Sequence, residues 1–476
     1  MIFTSLDYAV FLTLVFLAYW TVGRKNLQNV LLVAVSYFFY GFIHPWFCIL
    51  LAATTVVDYF CGLGIYRFPA HRTKILSLSL IFSLSLLATF KYFNFFVDNL
   101  VDLFANYGLE LSKHLIRIVL PVGISFYTFQ SMSYTIDVYR GKQSPTKNFV
   151  EYALYASFFP LLVSGPIERA SHFLPQIRKP RVWNWDNFDA ACSLLIRGFL
   201  KKLVVADNLA YFVNKIFVLD QPSLDQLLIG VVGFSFQIYA DFSGYTDIAR
   251  GTASLLGFDL VENFKSPYLA VSPSDFWRRW HISLSSWFRD YLYIPLGGSL
   301  ARDSKLAKKY FNLHSHKLAA DLGVLLVTMG LCGFWHGAAW NFLLWGVYHG
   351  VLLFGYRLVG LGGSWRPNKR LTRLAAVTIM YGFTLGGWLL FRSPSLSWLV
   401  HVFSIPVFKI DQAKLLVDTV IAGYYFIYGL PLLFMFAMER WSRNSRWLRA
   451  AFDGAALAAI FLLSSEFGQD FIYFQF

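Results

Sequence analysis

The sequence predicts an all-α polytopic membrane protein. Three observations carry this expectation. Apolar residues make up 57% of the 476-residue chain and charged residues only 14%, against roughly a quarter charged in soluble domains. Apolar runs near the ~20 residues that cross a bilayer recur along the whole length. The alternating segments of a membrane β-barrel are missing. A bilayer forces each backbone group to find an internal partner, which leaves helices. The chain reads as one integral membrane domain, residues 1–476, without a soluble appendage.

The elements follow in order. The first run, residues 2–20, carries Asp7 and lacks a basic leader and a small-residue cleavage site, so it reads as a retained helix. Arg24 and Lys25 follow it and mark the cytoplasmic side. Further spans read at 28–43, with a turn at His44-Pro45, and at 48–66, which leads into the basic loop RFPAHRTK. A span at 75–96 leads to the net acidic loop DNLVDLFANYGLELSK, read as external. A return through 115–139 reaches the basic RGKQSPTK. This alternation puts the N-terminus outside. The rule then breaks. Residues 149–165, FVEYALYASFFPLLVSG, look like a span, yet a full crossing would put the basic ERASHFLPQIRKPR outside. Pro160 and Gly165-Pro166 interrupt the helical pattern. The segment therefore enters and turns back, or forms two half-helices, around an enclosed cavity.

A second irregular stretch is SPSDFWRRWHISLSSWFRDYLYIPLGGS, residues 272–299. Ser272 or Ser274 supplies an N-cap. Arg278, Arg279, Arg289 and Asp290 lie among three tryptophans, and Pro295 and Gly297-Gly298 end the run. An amphipathic or re-entrant helix at the cytoplasmic face fits this composition. Spans at 320–340, 341–359, 374–390, 421–438 and 448–463 bring the total to about eleven, plus partial ones. No internal repeat stands out.

The formal net charge is +14. Its basic residues sit in short loops, where they act as topology signals rather than as a nucleic-acid surface. The cysteines, Cys48, Cys61, Cys192 and Cys332, show no metal spacing and no disulfide framework. No HExxH, GxSxG or phosphate-loop pattern appears, so no metal or bound cofactor is expected.

Polar groups inside membrane helices are functional candidates by default. His336 stands in CGFWHGAAWNF between Gly333 and Gly337, next to Trp335 and near Asn341. A buried neutral imidazole is a general base for a hydroxyl, or else a structural hydrogen-bonding group. The glycines admit a substrate or another helix. His281 lies in RRWHISLSSW beside Arg278 and Arg279, with Ser285 at i+4 facing it if the segment is helical. That pair is a nucleophile candidate; the alternative is an interfacial anchor. Asp241 and Asp247, in QIYADFSGYTDIARG, lie at or near the end of an apolar helix. Pairing with arginines of the partial helix is expected, and a proton path is the alternative. In PVGISFYTFQSMSYTIDVYRG, hydroxyls from Ser125 onward and Gln130 either line a polar tunnel or bond neighbouring helices.

These stretches, together with SGPIER, RGFLKKLVVADNLA and the terminal FIYFQF, resemble the membrane-bound O-acyltransferase (MBOAT) family, in the bacterial branch that O-acetylates alginate. The resemblance runs in order across nearly the whole chain and is thinnest over 364–450. It implies a ring of membrane helices around a tunnel open to both sides. It implies that His336 is the catalytic histidine, with His281 as a second. It implies a cytoplasmic acyl donor, acetyl-CoA or an acyl carrier protein, and a periplasmic or extracellular acetyltransferase partner. The location implied is the bacterial inner membrane, among lipids. Arg278, Arg279 and Lys308 are placed to meet donor phosphates. Trp335, Asn341, Ser125 and Gln130 complete the candidate substrate contacts. The competing substrates are teichoic acid, with D-alanine from a carrier protein, and cellulose or peptidoglycan. A competing class is a proton-coupled transporter through Asp241, Asp247 and His336. A scaffold for a periplasmic enzyme is a third reading.

Overall fold

The computed structural model describes residues 1–109, 117–163, 165–297, 313–363, 365–404, 412–441, 445–465 and 471–472. All regular structure among the described residues is helical. The chain divides into two compact units, Met1–Leu195 with Ile248–Val261, and Ile196–Asp247 with Glu262–Phe476.

The first unit contains α1 (Leu6–Thr21), α2 (Lys25–Gly41), α3 (Phe47–Arg67), α4 (Arg72–Leu87), α5 (Phe93–Ala105), α6 (Ile124–Tyr139), α7 (Phe149–Ser157), α8 (Phe159–Leu162), α9 (Ala170–Arg178) and the start of α10 (Trp185–Phe199). A π-helical turn, Ala88–Tyr92, joins α4 to α5. The helix therefore runs on through residues 98–105, which the sequence reading assigned to an external loop. Helix α6 is shorter than the expected 115–139 span, because Gly123 adopts φ 76° and caps it. A methyl group on Gly123 would overlap the Leu162 carbonyl oxygen.

The break expected at 149–165 is present as two half-helices. Phe158 takes ψ 113° between α7 and α8, and Pro160 stands in the first turn of α8, where its missing N–H costs nothing. The Phe159 N–H freed by the break donates to Ser36 Oγ at 3.0 Å. Downstream, the buried Glu168 of SGPIER accepts from Val261 N (2.7 Å) and binds His172 Nδ1 (2.8 Å). Tyr19 Oη donates to the Leu256 carbonyl at 2.9 Å, which fastens 248–261 to this unit.

The second unit contains the end of α10, α11 (Asp207–Phe217), most of α12 (Leu224–Leu255), α13 (Pro273–Trp277), α14 (Ile282–Phe288), α15 (Leu313–His336), α16 (Trp340–Leu358), α17 (Arg370–Arg392), α18 (Leu396–Ser404), α19 (Gln412–Trp441) and α20 (Arg446–Leu463). Helices α15 and α16 form a hairpin. A methyl group on Gly333 would strike the Phe342 carbonyl, and one on Gly346 the Met329 carbonyl. Small residues here let two backbones approach.

Among the described residues, five helical segments are long and apolar enough to cross a bilayer: Phe47–Arg67, Pro69–Ala105, Leu224–Leu255, Arg370–Arg392 and Leu416–Met438. Leu6–Thr21 and Asp321–His336 are shorter apolar helices. The sequence reading expected about eleven crossings. One of those, α6, is a shorter, hydroxyl-rich helix here.

Two outcomes test this description. Gly123→Ala combines a left-handed backbone with an overlap against backbone, and should lower stability by about 3 kcal/mol, measured by unfolding of the detergent-solubilised protein. The hydrogen bond to Glu168 raises the His172 pKa above its ordinary value. Protonated His172 therefore stabilises the fold below its unfolded pKa of about 6.5, and this contribution is lost as pH rises through the folded value. The Tm gap between the parent and His172→Gln should narrow from about pH 5.5 to pH 8.5.

Candidate active site

The second unit brings His336 and His281 together. His336 is the last residue of α15, and the turn 337–339 returns the chain as α16. His281 caps α14 with φ 42° and ψ 56°, a left-handed conformation, which is uncommon for a residue with a side chain. Both rings are buried. Their centroids lie 6.3 Å apart at 49°. Aromatic rings fix both: Trp345 (5.1 Å, 89°) and Phe391 (5.5 Å) stand edge-on to His336, and Phe242 (4.6 Å) to His281. Trp335 adjoins both histidines, at 5.0 and 6.0 Å.

The left-handed turn at His281 breaks what the sequence reading took as one partial helix. Ser272 does cap its first part, accepting from Asp275 N at 3.2 Å. Buried Asn263 pins the turn: its carbonyl accepts from Ile282 N and its Oδ1 from Ser283 N, both at 3.0 Å. Sequence reasoning missed Asn263, whose role depends on a contact twenty residues away. The expected Ser285–His281 nucleophile pair does not form. The i+4 backbone bond from Ser285 N to the His281 carbonyl is made (2.9 Å), but His281 is a left-handed cap outside the helix, and Ser285 Oγ donates instead to the Trp280 carbonyl at 2.9 Å.

A cavity of about 340 Å³ lies beside the helices that carry this pair. Its walls include Ile282, next to His281, and Cys332, one helical turn before His336. Arg278, Arg289 and Arg357 line it as cations, and Ser285, Ser286 and Thr328 as hydroxyls. Arg279 turns instead to Asp275 (3.1 Å) and the Lys265 carbonyl (3.2 Å). Asp275 also holds Arg278 (3.5 Å) and Arg366 (3.2 Å). Asp290 pairs with Arg289 at 2.8 Å. Lys308 lies outside the described residues, as does Gly298.

The other candidates have structural partners. Asn341 donates to the Ser393 carbonyl at 3.1 Å. Ser125 and Gln130 belong to the first unit, where Ser125 Oγ accepts from Lys91 Nζ (3.3 Å) and Gln130 donates to the Tyr155 carbonyl. Asp241 and Asp247 lie well inside α12 rather than at its end, and they pair with lysines rather than arginines. Lys202 bridges Asp241 (2.9 Å) and Asp207 (2.7 Å), and Lys201 holds Asp247 at 2.6 Å. The lysine pair in an apolar run was a signal that could have been read. Asp241 Oδ2 also accepts from Ile472 N at 2.7 Å. No group of three or more metal-ligating side chains occurs among the described residues.

Comparison with known proteins decides the family. The sequence profile of the membrane-bound O-acyltransferases matches residues 142–361. The chain is 34% identical to a probable alginate O-acetylase of Pseudomonas putida, over the full length of both proteins. This chain belongs to the membrane-bound O-acyltransferase family. It is a multi-pass membrane protein and an O-acyltransferase. It is also 34% identical to a peptidoglycan O-acetyltransferase of Helicobacter pylori, over 83% of this chain and 77% of the relative. It is 29% identical to a teichoic acid D-alanyltransferase of Bacillus subtilis, over 57% and 68%.

Asn263→Ala removes the side-chain acceptor beneath the His281 turn. It should lower acyl transfer about tenfold and stability by about 1–2 kcal/mol, while Asn263→Asp, which keeps the acceptor oxygen, should retain most of both. Turnover and Tm measured side by side check this.

Proposed function

We propose that this O-acyltransferase takes an acetyl group from a cytoplasmic thioester donor and passes it outward for O-acetylation of an extracellular polysaccharide such as alginate. One observation carries the reading: two buried histidines lie 6.3 Å apart, ring to ring, near a cavity lined by three arginines. Similarity to an alginate O-acetylase over the whole chain supports the polymer class. We read the chain as one catalytic domain in the bacterial inner membrane, with its N-terminus outside and lipids around it. Acetyl-CoA is the proposed donor substrate, and a periplasmic acetyltransferase the proposed partner.

The chemistry follows from the side chains. Arg278 and Arg289 meet donor phosphates as charge-assisted pairs, and the slot between them and Cys332 takes the thioester arm. His336 accepts the proton of the acceptor hydroxyl as its oxygen attacks the thioester carbonyl. His281 holds the developing oxyanion or the acyl group. The C–O bond forms, the C–S bond breaks, and the proton passes from His336 to the departing thiolate. The rings around both histidines exclude water, which limits hydrolysis of the donor. A second reading, D-alanyl transfer from a carrier protein to teichoic acid, rests on the partial similarity to the Bacillus subtilis enzyme.

The first test is turnover of radiolabelled acetyl-CoA by purified protein. His336→Ala should reduce it by about 10³-fold without loss of folding. Arg278→Ala and Arg289→Ala should each raise the donor KM about tenfold and spare kcat. Equal turnover by the parent and His336→Ala would remove His336 as the base. Turnover with D-alanyl carrier protein and none with acetyl-CoA would replace the first reading by the second.

A further inference from the structure

The first unit holds a polar cluster that the acyl-transfer reading does not use. Asp58 lies midway along α3, in a segment of mean hydropathy 1.8, and is fully buried. Its Oδ1 accepts from Ser79 Oγ of α4 at 2.6 Å. The Ser79 hydroxyl stands 3.1 Å from that of Thr135 on α6. Ser131 of α6 lies beside both Asp58 and Tyr152 of α7. Ser83 sits one turn beyond Ser79 and is equally buried. Asp58 Oδ2 and the hydroxyls of Ser83, Ser131 and Tyr152 are sealed from solvent and make no hydrogen bond of good geometry, although Ser131 lies within reach of both Asp58 and Tyr152. No lysine, arginine or histidine pairs with Asp58 among the described residues.

An ionised carboxylate at that depth is too costly to stand without a counter-charge. Either Asp58 is protonated, or something cationic completes the site. The ligand set decides between them. It consists only of oxygens, one of them charged, contributed by four helices. A proton on Oδ2 answers one of these atoms. A hard monovalent cation answers the carboxylate and several hydroxyl lone pairs together, and leaves the site neutral. We infer that Asp58, Ser79, Ser131, Thr135 and Tyr152 form a binding site for a sodium-sized monovalent cation that locks α3, α4, α6 and α7 together.

The site is independent of the acyl-transfer chemistry, so the test reads binding and stability. The purified full chain is titrated with NaCl against choline chloride at constant ionic strength while Tm is followed. The expected result is a saturable rise of about 5 °C at high sodium, with a weaker response to potassium. Asp58→Asn, close in shape and uncharged, should lose the sodium dependence. Ser79→Ala, which keeps the carboxylate, should shift the half-saturation to higher sodium at least tenfold. A Tm of the parent that does not respond to sodium overturns the inference and leaves a protonated carboxyl. A response undiminished in Asp58→Asn overturns it as well, by placing the cation elsewhere.

Discussion

Every polar group that enters an apolar helix bundle has to be answered from within the protein, and this constraint organises the second unit. Lys202 is nearly inaccessible, and it sits between Asp207 and Asp241. Removing one member of such a buried group leaves an uncompensated charge, at about 3–5 kcal/mol. The lysines lie in a π-helical turn, Leu200–Ala206, that links α10 to α11. Such turns recur where a functional side chain must leave the regular helical register. Asp241 also takes the Ile472 N–H, and Phe471 packs on Tyr245 (4.2 Å) and Phe242 (5.8 Å). Phe242 is the ring that rests against His281. The ion-pair cluster, the 471–472 segment and the candidate histidine thus form one packed group.

The two histidines are held by different means. His336 is placed by a rigid hairpin, whose glycines allow α15 and α16 to meet backbone to backbone. The glycines beside His336 therefore serve packing: Gly333 is filled by the Phe342 carbonyl and Gly337 by the Phe342 ring. His281 is placed by a strained turn. A left-handed residue with a side chain costs roughly 1–3 kcal/mol, and the Asn263 clamp offsets it. Strain of this kind persists where neighbouring structure over-determines the conformation. Here the turn places the imidazole 6.3 Å from that of His336, ring to ring.

Asp275 shows how one carboxylate sorts three arginines. It binds Arg278, Arg279 and Arg366, yet Arg278 also lines the cavity while Arg279 turns to the Lys265 carbonyl. Adjacent residues of one type therefore take different roles, and substitution of one does not predict the effect of the other.

Much was legible in the sequence because it depends on local pattern. Low charge and recurrent apolar runs settled the membrane class and the helical fold. Pro160 and Gly165-Pro166 marked the broken helix, since their backbone restrictions act locally. His336 and His281 stood out because a titratable ring among apolar residues is expensive. What required the tertiary structure were the partners of these groups. The αL turn at His281 is set by Asn263, distant in sequence, and it undid the Ser285 pairing that helical spacing suggested. Asp241 and Asp247 found lysines rather than arginines because α12 runs on to Leu255 and packs against the π-helical turn. The sequence by itself determined which polar groups would need partners in an apolar protein. Only the folded chain decided which partners they met, because that choice depends on helix register, crossing and termination, and no local pattern encodes these.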